Sequence, residues 1–260
     1  MPKSAGLHYF VREAKDCNPQ RPPIILIHGA GGTYLSWPPQ IRRLAGEKIY
    51  APDLPGHGQS EGTGRRSIEE YAGAVINFMD AENIQDAALA GISMGSAIAL
   101  MLALKHPKRM AGLVLIGGGA KMPVAKNTLE TIGNPDTFDA AVEFVNSSFF
   151  SPTASPDLIR LSRQGLLKTD PSVLLGDFLA CNQFDATSRL SEIRIPTLVL
   201  CGEKDKMMPP KFSGFLRDSV SNARLHLVPS AGHMLQLEKP DIVADLLKKF
   251  MDEFALPSAP

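Results

Sequence analysis

The sequence predicts an α/β protein with a mostly parallel sheet and helices on both faces. Three observations predict it. Short continuous apolar runs, such as Ile24–Ile27 and Gly112–Ile116, alternate with longer helix-like segments. Strands covered on both faces read as such runs. Each residue suited to chemistry lies just after a run, at the strand ends where such sheets place ligands. The third observation is local: Gly91-Ile92-Ser93-Met94-Gly95 joins the apolar Ala87–Ala90 to the apolar Ala97–Leu104. The first run is too short for a helix and the second is long enough. A tight turn between them holds the Ser93 hydroxyl out of the sheet's end, and side chains at the glycines would clash with it.

The elements follow in order. Leu7–Val11 reads as a single N-terminal strand, and Ile24–Ile27 as a strand ending at His28-Gly29. Lys48–Ala51 is a strand ending at Pro52-Asp53. Ser67-Ile68-Glu69-Glu70 has the capping-box pattern and starts a helix running toward Glu82. The strand before Ser93 and the helix after it come next, the helix closed by Lys105-His106-Pro107. Gly112–Ile116 is stopped by Gly117-Gly118-Gly119; Leu198–Leu200 and Arg224–Val228 complete the strands. Asp241–Phe254 is an amphipathic helix, and residues 257–260 read as a frayed tail.

Residues 120–186 break the alternation. They show helical periodicity (Phe138, Ala141, Val142, Val145, then Leu158, Leu161, Leu166) and several prolines. This is the pattern of a helical cap inserted after strand 6. The core is then 1–119 with 187–260, and the cap 120–186.

Composition limits the function classes. Apolar residues make up 44%, enough for a large core, and 27 basic residues balance 27 acidic ones. That balance offers no electrostatic argument for nucleic acid or an anionic membrane. Cys17, Cys181 and Cys201 form no C-x-x-C pair, so neither a disulfide framework nor a zinc site is expected. Cys201 reads as a buried structural thiol. Residues 1–10 lack the apolar core of a signal peptide, and no apolar stretch reaches membrane-spanning length. The expectation is a cytoplasmic protein, monomeric or homodimeric, without membrane insertion, metal or cofactor.

A serine hydroxyl becomes a nucleophile when a base takes its proton, and a third group must fix the base's tautomer. The chain offers Ser93, Asp205 and His233 in that order. Asp205 follows Leu198–Leu200 through Cys201-Gly202-Glu203-Lys204, with Glu203 and Asp53 as weaker contenders. His233 sits on the loop after the last strand, in Ala231-Gly232-His233. His8 and His226 lie on strands, His106 at a helix end, and His57 reads as a turn residue. An oxyanion needs fixed N–H donors, each worth about 2.7–4 kcal/mol of barrier. Met94, at the start of the helix after Ser93, is one; Ala30 of His28-Gly29-Ala30-Gly31-Gly32 is the other. His28 itself reads as structural.

These motifs, with Asp53-Leu54-Pro55-Gly56-His57-Gly58-Gln59-Ser60, resemble the α/β-hydrolase superfamily, in its small single-cap branch of esterases, lactonases and carbon–carbon bond hydrolases. The resemblance spans nearly the whole chain. It implies Ser93 as nucleophile, His233 as base and Asp205 as orienter. An acid after strand 6 is a known variant of the fold, and Gly117-Gly118-Gly119-Ala120 holds none. Two departures stand out. Ser96 replaces a second glycine, which is tolerable if the helix packs loosely there, and one N-terminal strand stands where relatives have a hairpin.

Ser93 excludes the Asp-nucleophile chemistries of epoxide and haloalkane hydrolysis. All four tyrosines precede the cap, unlike the cap tyrosines of epoxide hydrolases. Cap phenylalanines and the methionines near the acid and base suggest a mostly apolar pocket. Gly29, Trp37, Phe144, Met207 and Met234 are the candidate substrate-binding residues. The expected activity is hydrolysis of a small to medium apolar acyl ester through an acyl-enzyme. Carbon–carbon bond or lactone hydrolysis is the alternative, with Ser36 and Arg160 or Arg163 as candidate polar contacts. A non-catalytic, receptor-like ligand binder is the alternative outside enzymes.

Overall fold

The structure, a computed structural model, describes residues 1–13, 17 and 21–255. The tail reading for 257–260 lies outside the described residues. Along the chain the elements are β1 (Lys3–Ser4), β2 (Leu7–Arg12), β3 (Ile24–Ile27), α1 (Pro39–Arg42), β4 (Ile49–Pro52), α2 (Ile68–Ala81), β5 (Ala87–Ile92), α3 (Met94–Lys105) and β6 (Met110–Ile116). Then come α4 (Lys126–Ile132), α5 (Phe138–Phe149), α6 (Pro156–Leu166) and α7 (Pro171–Gln183). The chain closes with β7 (Thr197–Gly202), α8 (Pro210–Ser219), β8 (Ala223–Val228), α9 (Leu235–Glu238) and α10 (Pro240–Asp252).

The eight strands form one sheet in the order β1-β2-β4-β3-β5-β6-β7-β8. From β4 to β8 every neighbouring pair is parallel, while β1 and β2 run antiparallel. The single-strand expectation for the N-terminus is corrected: Lys3–Ser4 pairs with Leu7–His8 as a short hairpin. Ala5 and Gly6 make its turn at φ 48° and 77°.

The strands are apolar throughout because each feeds two cores. Ile25, Ile27, Leu89, Leu113 and Val199 face one side, packed with Tyr71, Phe78 and Ile98 of α2 and α3. Ile24, Leu26, Ala88, Val114 and Leu200 face the other, packed with Ile41, Val243 and Phe250 of α1 and α10. The period-2 alternation of a strand sends successive residues to opposite cores. α3 is apolar on nearly every face and is buried along almost its whole length, as such a helix must be. α2 starts at Ser67, whose Oγ accepts the Glu70 N–H at 3.2 Å.

Helices α4–α7 lie between β6 and β7. They have a core of their own, including Ile132, Phe138, Val142, Leu174 and Phe178. The chain passes from β3 to β4 on one side, then to β5 on the other. The winding therefore reverses between β3 and β5, the point where open parallel sheets hold their ligands.

Candidate active site

Ser93 follows β5 at that switch point, with φ 53° and ψ −119°. A non-glycine residue there stores roughly 1–3 kcal/mol of strain. The turn is as tight as the sequence implies. A Cβ on Gly91 would stand 2.2 Å from the Gly95 carbonyl oxygen. Gly29, at the end of β3, passes close by: a Cβ there would lie 3.2 Å from the Ser93 Cβ. Met94 is the first residue of α3, so its N–H has no acceptor within the helix and sits at the positive end of the helix dipole.

Asp205 and His233 come together from separate loops. His233 Nδ1 and Asp205 Oδ2 are 2.9 Å apart, both residues buried. Asp205 Oδ1 accepts the Met207 and Met208 N–H groups at 2.9 and 2.8 Å. A carboxylate so held accepts, so Nδ1 carries the proton it donates and Nε2 is the nitrogen left for another partner. The two loops are stitched together by the Lys204 N–H to the Ala231 carbonyl at 2.8 Å. Gly202 has no room for a side chain: a Cβ would meet the Gly232 oxygen at 2.2 Å. Neither of the other candidate acids is bonded to His233, although Asp53 lines the same cavity as Ser93. Glu203 is exposed, and Asp53 is bound to the Tyr34 N–H and to His8, both at 2.7 Å.

Ser93 and His233 line one cavity of about 880 Å³, between the sheet's end and the inserted helices. Gly29, Ala30, Met207 and Met234 line it too, with Leu158 and Phe178 among its apolar walls. Trp37 and Phe144 do not, which corrects both as substrate contacts. Trp37 is fully buried in the α1–α10 core, its indole drawn under the sheet. Phe144 is 65% exposed, since it falls off the α5 face carried by Phe138, Ala141, Val142 and Val145. Ser36 borders the cavity, whereas Arg160 and Arg163 lie outside it. They pair instead with Asp157 and Glu143.

Loose packing at Ser96 is also corrected. Ser96 is fully buried. Its hydroxyl donates to the Gly91 carbonyl at 2.7 Å and accepts the Ile116 N–H at 3.1 Å, tying the turn to β6. The room comes from Gly118, where a Cβ would stand 2.5 Å from the Ser96 Cβ.

Two histidines support the loop after β3. His28 Nε2 accepts the Leu54 N–H at 2.9 Å, so its other nitrogen donates to the Gly29 carbonyl at 2.8 Å. Burial, then the nearby His57, push its pKa down to about 3. His57, expected as a turn residue, is instead buried between two acceptors. They are the Pro55 carbonyl at 3.1 Å and Asp177 Oδ2 at 2.8 Å. Both ring nitrogens therefore donate, which makes it a cation. Burial opposes that charge, but Asp177 outweighs it and raises the pKa. Sequence reading missed Asp177. Its partners lie more than a hundred residues away, and no local spacing marks it.

The inserted helices also hold the His233 loop. The Met234 N–H donates to the Phe149 carbonyl at 3.0 Å. Glu238 accepts the Gly232 N–H at 2.7 Å and the Ser151 hydroxyl at 2.5 Å. The Phe149 ring centre is 5.7 Å from that of His233.

Comparison with known proteins agrees with this architecture. The model of the alpha/beta hydrolase family matches residues 24–246. The chain belongs to that family and is a hydrolase. A 2-hydroxy-6-oxo-6-phenylhexa-2,4-dienoate hydrolase of Burkholderia cepacia is 28% identical, over 95% of this chain and 93% of its own. A pimeloyl-[acyl-carrier protein] methyl ester esterase of Neisseria meningitidis is also 28% identical, over 93% of this chain and 98% of its own. Among solved structures, the enol-lactonase of Burkholderia xenovorans LB400 superposes with a TM-score of 0.86 at 25% identity, covering 95% of this chain and 96% of that one. A thermophilic esterase of Thermogutta terrifontis gives 0.86 at 23% identity, covering 96% and 94%. The proteins this chain resembles thus include a methyl ester esterase, an enol-lactonase and a dienoate hydrolase. No helix among the described residues is long and apolar enough to cross a membrane.

Proposed function

We propose that the chain is a carboxylic-ester hydrolase working through an acyl-enzyme on Ser93. The supporting observation is the buried Asp205–His233 hydrogen bond, with its imidazole on the same cavity as the strained Ser93 turn. His233 Nε2 takes the Ser93 proton as the hydroxyl attacks the carbonyl carbon, and Asp205 holds the tautomer. The Met94 and Ala30 N–H groups stabilise the oxyanion. The protonated His233 gives its proton to the leaving alcohol, and then activates water to release the acid. No cofactor is needed for these steps. Residues 120–186 act as a cap over the core of 1–119 and 187–260. Cys181 and Cys201 are buried free thiols, which fits a reducing, cytoplasmic setting.

The ester reading is favoured by what lines the cavity. Its walls are rich in Met, Leu and Phe, and no arginine is among them. Lys168, at an exposed position, is its one lysine among the described residues. Such a cavity suits an uncharged acyl group of modest size. The carbon–carbon bond alternative is supported by relatives alone.

A fluorophosphonate probe tests the nucleophile: wild type is labelled and Ser93→Ala is not. Ser93→Ala also lowers kcat on a short p-nitrophenyl ester by up to about a million-fold. Labelling or turnover that survives the substitution overturns the reading. A panel of alkyl esters, lactones and vinylogous diketones separates the activities; turnover confined to the diketones rejects the ester class.

A further inference from the structure

Gly31 is the residue after Ala30, and the cap surrounds it. Its N–H donates to Asp177 Oδ2 at 2.8 Å. Its carbonyl accepts the Thr169 hydroxyl at 3.0 Å. A Cβ on Gly31 would stand 2.8 Å from both Leu166 and Leu174. All four neighbours belong to α6, α7 or the turn between them. Gly31 has φ 63°, a conformation in which glycine is at ease. The Gly32 N–H closes a turn onto the Gly29 carbonyl at 3.1 Å, with Ala30 and Gly31 as its central pair. Anchoring Gly31 therefore removes the freedom of Ala30 to rotate by itself.

Asp177 is built to be such an anchor. It is fully buried. Besides the Gly31 N–H it accepts His57 Nε2–H and the Tyr71 hydroxyl. Three donors, one of them the buried His57 imidazolium, hold the carboxylate to the core while its helix belongs to the cap. Gly31 is thus pinned from a platform that spans both parts. A buried charge pair is no economical source of stability, and fixing a single arrangement is the better-attested use of one.

We propose that Asp177 is a positioning residue for the oxyanion hole, aiming the Ala30 N–H through its bond to Gly31. The cap then helps to set transition-state stabilisation as well as covering the cavity. This rests on the reading of Ser93 as nucleophile and Ala30 as oxyanion donor.

The test compares Asp177→Asn, Thr169→Val and Phe138→Leu. Phe138 is buried in the cap's own core and lies off the cavity, so its variant reports cap destabilisation alone. Each is assayed for kcat and KM on a short p-nitrophenyl ester. Each is also assayed for affinity to a trifluoromethyl ketone, whose adduct carries the oxyanion, and for melting temperature. Asp177→Asn is expected to lower kcat by about tenfold to a hundredfold, with KM little changed. Ketone affinity falls in step. Thr169→Val, a mild change at a half-buried site, gives a smaller loss of the same kind with its melting temperature kept. Phe138→Leu lowers the melting temperature and spares kcat. If Thr169→Val and Asp177→Asn keep wild-type kcat and ketone affinity, or if the three variants lose activity in proportion to melting temperature, the proposal is overturned. Should Asp177→Asn not fold, Thr169→Val decides by itself. Failure of wild type to react with the fluorophosphonate would instead sink the nucleophile reading.

Discussion

A Cβ on Gly95 would stand 2.2 Å from the carbonyl oxygen of Ile27. The turn that carries Ser93 is therefore pressed against the end of the neighbouring strand β3, and the two cannot separate without opening the loop that bears Ala30. Gly95→Ala is expected to cost about 1–3 kcal/mol through overpacking and to depress turnover by spreading that loop. Thermal melting and kcat on a p-nitrophenyl ester check this. A variant with wild-type melting and turnover would mean that the close approach is not maintained in solution.

Asp205→Asn tests the orienting acid. Its Oδ1 is already committed to the Met207 and Met208 N–H groups, so an amide can keep the geometry only with its nitrogen toward His233. That favours the wrong imidazole tautomer, and kcat falls about ten-thousand-fold. Near-wild-type turnover would move the role to Glu203 or Asp53. Both start from a poor position: one is exposed, the other is bound to His8 and Tyr34.

His28 gives stability a pH dependence with a definite sign. Its pKa is held at about 3 in the folded chain, against about 6.5 unfolded. Between these values the unfolded state binds more protons, so its contribution is complete above pH 6.5 and is lost as pH falls toward 3. His57, with its pKa raised, has the opposite sign: its contribution is complete below pH 6.5 and is lost as pH rises through its folded value. Between pH 6.5 and 5 the His28 effect reaches up to about 2 kcal/mol. Chemical denaturation of wild type and His28→Asn at pH 7 and pH 5 checks it, with the smaller drop expected in the variant. Equal drops would show that the histidine is protonated in place.

The legible parts of this protein are those whose signal is local. Gly91, Gly95 and Gly202 mark backbone contacts close to 2 Å from any added Cβ, and the apolar runs mark strands that feed two cores. The face of α5 was legible too, and reading it strictly would have set Phe144 outside the pocket. Trp37 was not: an aromatic at the start of a helix can turn toward a cavity or under the sheet, and only packing chooses. Ser96 was misread for a related reason. Its space comes from Gly118, just past the end of the adjoining strand β6.

The mostly parallel sheet and the order in which Ser93, Asp205 and His233 follow its strands were written in the chain itself, because periodicity and turn chemistry act over a few residues. The order of the strands within the sheet was not. That Asp177, in the middle of α7, meets His57, Tyr71 and Gly31 follows from the packing of the folded chain alone. A buried carboxylate is recognised by the donors that compensate its lost hydration, and those donors are assembled from distant parts of the chain only when α7 packs against the loops after β3 and β4.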